Sequence, residues 1–236
     1  PADVPAVFEA IEILPGLNLA GIMSHVPEAD APGSSTTLRA IESFSGLCTI
    51  LKKRVPGLCH IANSAAVLNF PSAHQDMVRA GIALYGYHPA GKRYEKELSG
   101  NGLLPAMSFS SKVLQVKDMP SGTGISYGHT FTTSSSAKIA VLPVGYEDGY
   151  SRTLSNRGEV LIKGQRAKVR GRICMNMCMV DVTDIGGVVP GDEAVFLGSQ
   201  EENTITADDI AEKMDSISYE VLCMLGHNNN RNYQVG

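Results

Sequence analysis

No run of apolar residues in this 236-residue chain approaches the roughly 18 that a membrane-spanning helix requires. No basic stretch followed by an apolar one opens it, so no signal peptide is visible. Strong charge of either sign is missing too. The formal net charge is −4 and the pI is near 5.9, which gives no electrostatic reason to expect a nucleic acid or a membrane surface as partner. Cysteine is scarce: Cys48, Cys59, Cys174, Cys178 and Cys223. An odd number at scattered spacing fits reduced thiols and a cytoplasmic location better than a disulfide framework. Cys174 and Cys178 form C-x3-C without a second Cys or His pair at zinc spacing, so packed thiols are expected and no metal site. Internal repeats and low-complexity tracts are absent as well. The chain opens Pro1-Ala2-Asp3 without Met and runs directly into a helix-like segment, which suggests a start inside a longer protein.

What is present changes character near residue 100. Residues 4–13 have helical periodicity, and 17–24 (LNLAGIMS) read as a short apolar strand ending in His25. Residues 36–55 read as an amphipathic helix with Lys52, Lys53 and Arg54 in its last turn. Residues 58–62 (LCHIA) form a second strand ending in Asn63-Ser64, and 77–85 (MVRAGIALY) a third. Strands alternating with helices imply parallel β/α units, and three such units cannot close an eight-stranded barrel of about 250 residues. Residues 91–102 (GKRYEKELSGNG) read as a linker. Beyond it the pattern is β: strands are expected over 107–116, 137–144, 158–162, 165–169, 177–182 and 193–197. Lys163-Gly164 and Pro190-Gly191-Asp192 are turns, and one late helix starts at Thr206 with Asp208 and Asp209 in its first turn. The fold class is thus α/β plus all-β: residues 1–99 as part of a TIM-like (β/α)8 barrel, residues 100–236 as a β domain.

In such barrels chemistry lies at the carboxyl ends of the strands. That rule singles out His25, Asn63-Ser64 and the segment from Arg79 to Ile82. Each has a plainer reading: His25 as a core histidine, Ser64 as an N-cap, Arg79 as half of a structural ion pair. An arginine inside an apolar strand needs partners for its charge, and Gly81 beside it allows close backbone approach. One further stretch, Thr123-Gly-Ile-Ser-Tyr-Gly-His-Thr-Phe131, surrounds Tyr127 with small residues where the backbone can turn sharply and admit a ligand.

These residues carry a resemblance. His60-Ile-Ala-Asn-Ser-Ala65 and Met77-Val-Arg-Ala-Gly-Ile-Ala-Leu-Tyr-Gly86 resemble the barrel of the alanine racemases. Gly124-Ile-Ser-Tyr-Gly128, Val144-Gly-Tyr-Glu-Asp-Gly-Tyr150 and Gly171-Arg-Ile-Cys-Met-Asn176 resemble their β domain, in the same order. The resemblance implies a pyridoxal-phosphate enzyme that interconverts L- and D-alanine by a two-base mechanism, supplies D-alanine for peptidoglycan, and works as a homodimer.

Residue by residue, it implies that Tyr127 is a catalytic acid/base group serving the partner subunit's site. His25 and Arg79 would tie that phenol to the cofactor ring nitrogen. A free phenol titrates near pH ~10, so the phenol needs such help. A permanently charged arginine at the ring nitrogen keeps the ring largely neutral and limits side reactions such as transamination. The phosphate would rest on Ser64 and on N–H groups near Gly81 and Ile82. Met175 would place its backbone near the substrate carboxylate, and Tyr146 would line the substrate entrance.

The chain departs from the pattern in two places. The family's cofactor-binding lysine on the first barrel strand and its Thr-Gly-Met-Gly-Arg segment have no counterpart here, so an N-terminal portion of the same protein is the implied partner. His227 stands where the family commonly has a tyrosine that contacts the phosphate, and Asn228-Asn229-Asn230-Arg231 replaces the usual Arg-Val-Pro-Arg. A racemase for serine or another amino acid, and a non-catalytic relative that binds cofactor or partner, remain open from these residues.

Overall fold

The computed structural model describes residues 3–53, 57–94 and 102–234, and the chain divides into two compact units, Pro1–Leu104 and Pro105–Gly236. Among the described residues no helix is long and apolar enough to cross a membrane.

In the first unit, α1 (Val4–Glu12) carries Pro5 in its first turn, where a missing N–H has no helical partner to lose. β1 (Gly21–Met23) leads to α2 (Ser35–Leu51), whose N-cap Ser34 accepts the Thr37 N–H at 3.2 Å. β2 (Leu58–His60) pairs in parallel with β1, with Met23 opposite His60. α3 (Ser64–Asn69) is capped by Asn63, which accepts the Ala66 N–H at 3.0 Å. Ser64 is therefore not the cap; it is buried as the helix's first residue. The core joins Ile41 and Phe44 of α2 to Cys59 and Ile61 around β2 and to Ala65, Ala66 and Phe70 around α3.

The third strand expected over 77–85 does not form. A single parallel bridge links Asn63 to Arg79, and the Arg79 N–H reaches the Ala62 carbonyl at 2.9 Å. Beyond it the Ser64 hydroxyl takes the Gly81 N–H at 2.7 Å and the Ala83 N–H at 3.4 Å. A side chain thus removes the donors that a sheet ladder would need, and Ile82–Tyr85 winds into a 3-10 turn closed by Gly86. Strand 17–24 is likewise reduced to the three residues of β1. The basic last turn expected for the second helix lies beyond its end at Leu51, and Arg54 and Val55 fall outside the described residues. So does most of the linker read at 91–102; only its start is seen, where Gly91–Tyr94 form a 3-10 turn.

The second unit is β-rich. Its strands are β3 (Phe109–Lys112), β4 (Gln115–Met119), β5 (Gly124–Ile125), β6 (Phe131–Thr132), β7 (Ala137–Leu142), β8 (Glu159–Ile162), β9 (Gln165–Val169), β10 (Cys178–Asp181), β11 (Glu193–Gln200) and β12 (Asn203–Ile205). Eight of them form one sheet, in the path β12-β11-β8-β9-β10-β7-β4 with β3 also on β11. The single strand expected over 107–116 is in fact bent into β3 and β4. The Val113 N–H points to the Asp192 carbonyl at 2.8 Å, and the next N–H, of Leu114, to the Val141 carbonyl at 2.9 Å. One continuous segment therefore pairs with β11 and then with β7, and the sheet path closes on itself. Inside it Phe196 of β11 meets Tyr150 edge-on at 4.9 Å between ring centroids.

Lys163 and Gly164 both have positive φ, as a tight turn between β8 and β9 requires. α4 (Ala207–Met214) begins with a capping box in which Thr206 and Asp209 exchange hydrogen bonds. A second late helix, α5 (Ser218–His227), was not expected: its N-cap is Ile217 without a capping side chain, and its apolar residues blur the amphipathic period. Val221, Leu222 and Leu225 anchor it in the core.

Candidate functional site

The candidate residues fall into one set in each unit. In the first unit the parallel register of β1 and β2 puts the residues after each strand at the same end of the ladder. There the Arg79 guanidinium donates from Nη1 to His60 Nδ1 at 2.7 Å and to the His60 carbonyl at 3.2 Å. Its Nη2 donates to the carbonyls of Ser24 at 2.9 Å and Ile61 at 3.3 Å. A guanidinium has five N–H groups, so four are committed and Nε–H has no partner among the described residues. No carboxylate pairs with Arg79 among those residues either, so the plain ion-pair reading finds no acid. A half-buried cation held by carbonyl oxygens, with one N–H to spare, is built to receive an acceptor.

His60 was not singled out by the sequence. Because an arginine can only donate, His60 Nδ1 must accept, which fixes the proton on Nε2. The signal available was its place inside the expected strand 58–62, two positions before its end; the strand that forms ends at His60 itself. His25, by contrast, is exposed, with Nε2 3.4 Å from the Asn63 amide, and the histidine that touches Arg79 is His60.

Ser64, Gly81 and Ile82 do come together. Ser64 is buried, and its oxygen accepts the Gly81 N–H, so the Gly81 donor expected to face a phosphate is already spent. What remains is the Ser64 O–H, free to donate, and the Ile82 N–H, which makes no bond among the described residues. A hydroxyl and a neighbouring amide of this kind suit a small anion. Lys52 lies just beyond α2, Lys53 follows it and Lys92 lies in a 3-10 turn, so no described lysine of this unit stands at a strand end.

In the second unit the hairpin of β5 and β6 carries Tyr127 on a turn in which three neighbouring residues have positive φ: 61° at Ser126, 68° at Gly128 and 45° at His129. Gly128 adopts this without cost, but Ser126, with ψ −175°, occupies a region that costs a residue with a side chain about 1–3 kcal/mol. The strain is held by the Ser126 hydroxyl, which donates to the Arg172 carbonyl at 2.6 Å. The hairpin is tied to the sheet by Phe131, whose ring lies 4.5 Å beneath the Arg170 guanidinium, itself paired with Asp181 at 3.2 Å. The outcome is a rigid turn whose tyrosine is 72% exposed, its hydroxyl unbonded among the described residues.

Tyr146 and Met175 lie on two further loops of this unit and are exposed. The loops are stitched by Tyr146 N–H to the Cys174 carbonyl and Glu147 N–H to the Met175 carbonyl, both at 3.0 Å. Gly145 is required at this crossing, since a side chain there would collide with the carbonyl oxygens of Cys174 and Met175. Cys178 is fully buried, and that burial pushes its thiol up, so it is inert packing. Among the described residues no cluster of His, Cys, Asp or Glu has the geometry to hold a metal ion. His227 ends α5, exposed and without a partner among the described residues.

Two family models match the chain: alanine racemase, N-terminal domain, over residues 1–89, and alanine racemase, C-terminal domain, over residues 106–233. The chain is 40% identical to the alanine racemase of Halothermothrix orenii, an alignment covering 99% of this chain and 61% of that protein. It is similar to the solved structure of the alanine racemase of Bacillus anthracis with bound L-Ala-P, at TM-score 0.86 and 32% identity over 95% of this chain and 57% of that one. It is also similar to that of Bartonella henselae with covalently bound pyridoxal phosphate, at TM-score 0.80 and 26% identity over 98% and 60%. The chain thus spans about three fifths of the length of the relatives it matches.

Proposed function

Because the chain belongs to the alanine racemase family, we propose that, together with the remaining strands of its barrel, it interconverts L- and D-alanine with pyridoxal phosphate as cofactor. The observation that carries this reading is Arg79: a cation with no acid beside it among the described residues, four of its N–H groups fixed and Nε–H open among them. The first unit is then the later portion of a (β/α)8 barrel and the second the family's β domain. The protein acts as a cytoplasmic homodimer, and its D-alanine feeds peptidoglycan.

The residues present fit the cofactor at two of its three attachment points. Arg79 Nε–H suits the ring nitrogen, and the Ser64 hydroxyl with the Ile82 N–H suits the phosphate. The third, a lysine, comes from the remaining barrel segment. When bound, pyridoxal phosphate supplies an electron-withdrawing ring that makes the amino acid's Cα–H acidic enough to remove. Tyr127 moves a proton at that Cα on one face, reaching into the barrel of a second copy. Its exposure, and a hydroxyl without a bond among the described residues, support that role. A group from the remaining segment works the opposite face, as racemisation requires. His60 holds Arg79 in place, and Arg79 offers a donor to the ring nitrogen without a proton to give up. His25, beside Asn63, completes the polar link toward Tyr127. Met175 and Tyr146 shape the way in for the amino acid, and His227 takes the place of the tyrosine by which family members commonly contact the phosphate.

Two measurements test this. The kcat/KM of the barrel-complete protein is expected to be higher for alanine than for serine, and the reverse order would reassign the substrate. Arg79→Glu is expected to slow racemisation by a factor on the order of 10²–10³ and to raise pyruvate released per turnover, as a ring that can be protonated invites transamination. Unchanged product partition in a variant that still melts cooperatively would remove Arg79 from that role.

A further inference from the structure

Two asparagines from outside the loop over residues 144–150 supply donors to its backbone. Every N–H from Gly145 to Tyr150 is bonded: Gly145 to the Asp148 carboxylate, Tyr146 and Glu147 to the neighbouring loop, and Asp148, Gly149 and Tyr150 back into their own turn. The carbonyls of Gly145 and Tyr146 accept within that turn. The carbonyls of Glu147 and Asp148 point to the segment after α5. Asn228 Nδ2 donates to the Glu147 carbonyl at 3.1 Å, and Asn229 Nδ2 to the Asp148 carbonyl at 2.8 Å.

An asparagine amide has two hydrogens. Asn229 spends the other on the Leu225 carbonyl at 2.7 Å, in the last turn of α5, where helix carbonyls lack partners. One side chain thus bolts the loop to a helix whose Leu225 lies in the core. The backbones meet closely here: Gly149, at φ 87°, abuts the Met224 carbonyl, and any side chain would collide with it. On the far side the Glu147 carboxylate accepts the Asn176 amide at 2.6 Å, so the clamp extends to the loop that bears Met175. The side chains of Tyr146 and Met175 take no part in these bonds and remain exposed.

We propose that Asn228 and Asn229 are positioning residues that fix the backbone of the Tyr146 loop and, through Glu147 and Asn176, that of the Met175 loop, and so set the width of the opening through which the amino acid enters. The part about the amino acid rests on the function proposed above; the clamp itself does not. It acts on ground-state fit and on no proton transfer, so its loss falls on KM and spares kcat.

The test pairs two readouts. Asn229→Asp keeps the size and removes both donors; Asn228→Asp, at an exposed position, removes only the bond to Glu147 and guards against misfolding of the first variant. In the chain itself, amide hydrogen exchange across residues 145–150 is expected to quicken about tenfold in Asn229→Asp and less in Asn228→Asp, as two bonds or one are lost. In the barrel-complete protein KM for alanine should rise by about threefold to tenfold, with kcat within about twofold. Unchanged exchange in both variants overturns the clamp. Faster exchange with unchanged KM overturns its link to the opening. If the unsubstituted barrel-complete protein does not racemise alanine, the proposed function falls, and exchange alone decides the clamp.

Discussion

Tyr127→Phe is expected to lower racemisation of alanine by a factor on the order of 10²–10⁴, the usual worth of a placed acid/base group. The substitution removes one oxygen atom and nothing that the fold uses. The side chain is 72% exposed and its hydroxyl makes no bond among the described residues, so thermal stability should be unchanged. The turn is held from elsewhere, by Ser126 on the Arg172 carbonyl and by Thr133, which accepts the Thr123 N–H at 2.9 Å. Cofactor retention should therefore persist, because none of its expected contacts lies in this turn. In D2O the two enantiomers should also part company: exchange at Cα persists from the face served by the other base and fails from the face served by Tyr127. A polarimetric assay in both directions, run with Cα deuterium incorporation, reads both effects. Near-normal turnover both ways would remove the phenol from the chemistry.

The second large effect is all or none. The chain alone is expected to show no racemisation, and to gain it when mixed with a separately produced barrel segment carrying the cofactor lysine. In the first unit β1 pairs only with β2 among the described residues, so one side of β1 is open, and parallel strands are stable when covered on both sides and faces. Leu17, Met23 and Leu58 near this small sheet are exposed apolar residues that a completed barrel would cover. Mixing should produce alanine turnover together with the visible absorption of lysine-bound cofactor. Turnover by this chain alone, with mass spectrometry excluding a companion fragment, would require a different lysine for the cofactor.

The β-rich unit was the more legible part of the sequence, because its signals are local. Lys163-Gly164 declares a turn and Thr206 with Asp209 a helix start, and each needs only a few neighbouring residues to be read. Where side chains compete with the backbone, periodicity misleads. Residues 77–85 read as an apolar strand, yet the Ser64 hydroxyl, 17 residues away from Gly81, takes the ladder's N–H. His60 escaped notice for a similar reason: its contact to Arg79 spans 19 residues and exists only once both segments lie against one another at the strand ends. Tyr127 was visible through its small neighbours, but the positive φ that presents it belongs to Ser126, a residue with no sequence signal for it. The bend at Val113 and Leu114 likewise rests on two distant partners, Asp192 and Val141.

That bend decides which part of the molecule is the aggregation hazard. By joining β11 to β7 through one segment, it leaves the strand-rich unit with few bare N–H and C=O groups on which a second molecule could nucleate. The three-residue β1, in the unit with far less β structure, is the more adhesive edge, since the side left open among the described residues lies beside exposed apolar residues. Intermolecular pairing during refolding or on heating is therefore expected to begin in residues 17–60, not in the part of the chain that holds most of the strands. A single lysine or proline on the open side of β1 would blunt it, at the cost of the very surface that the rest of a barrel must grasp.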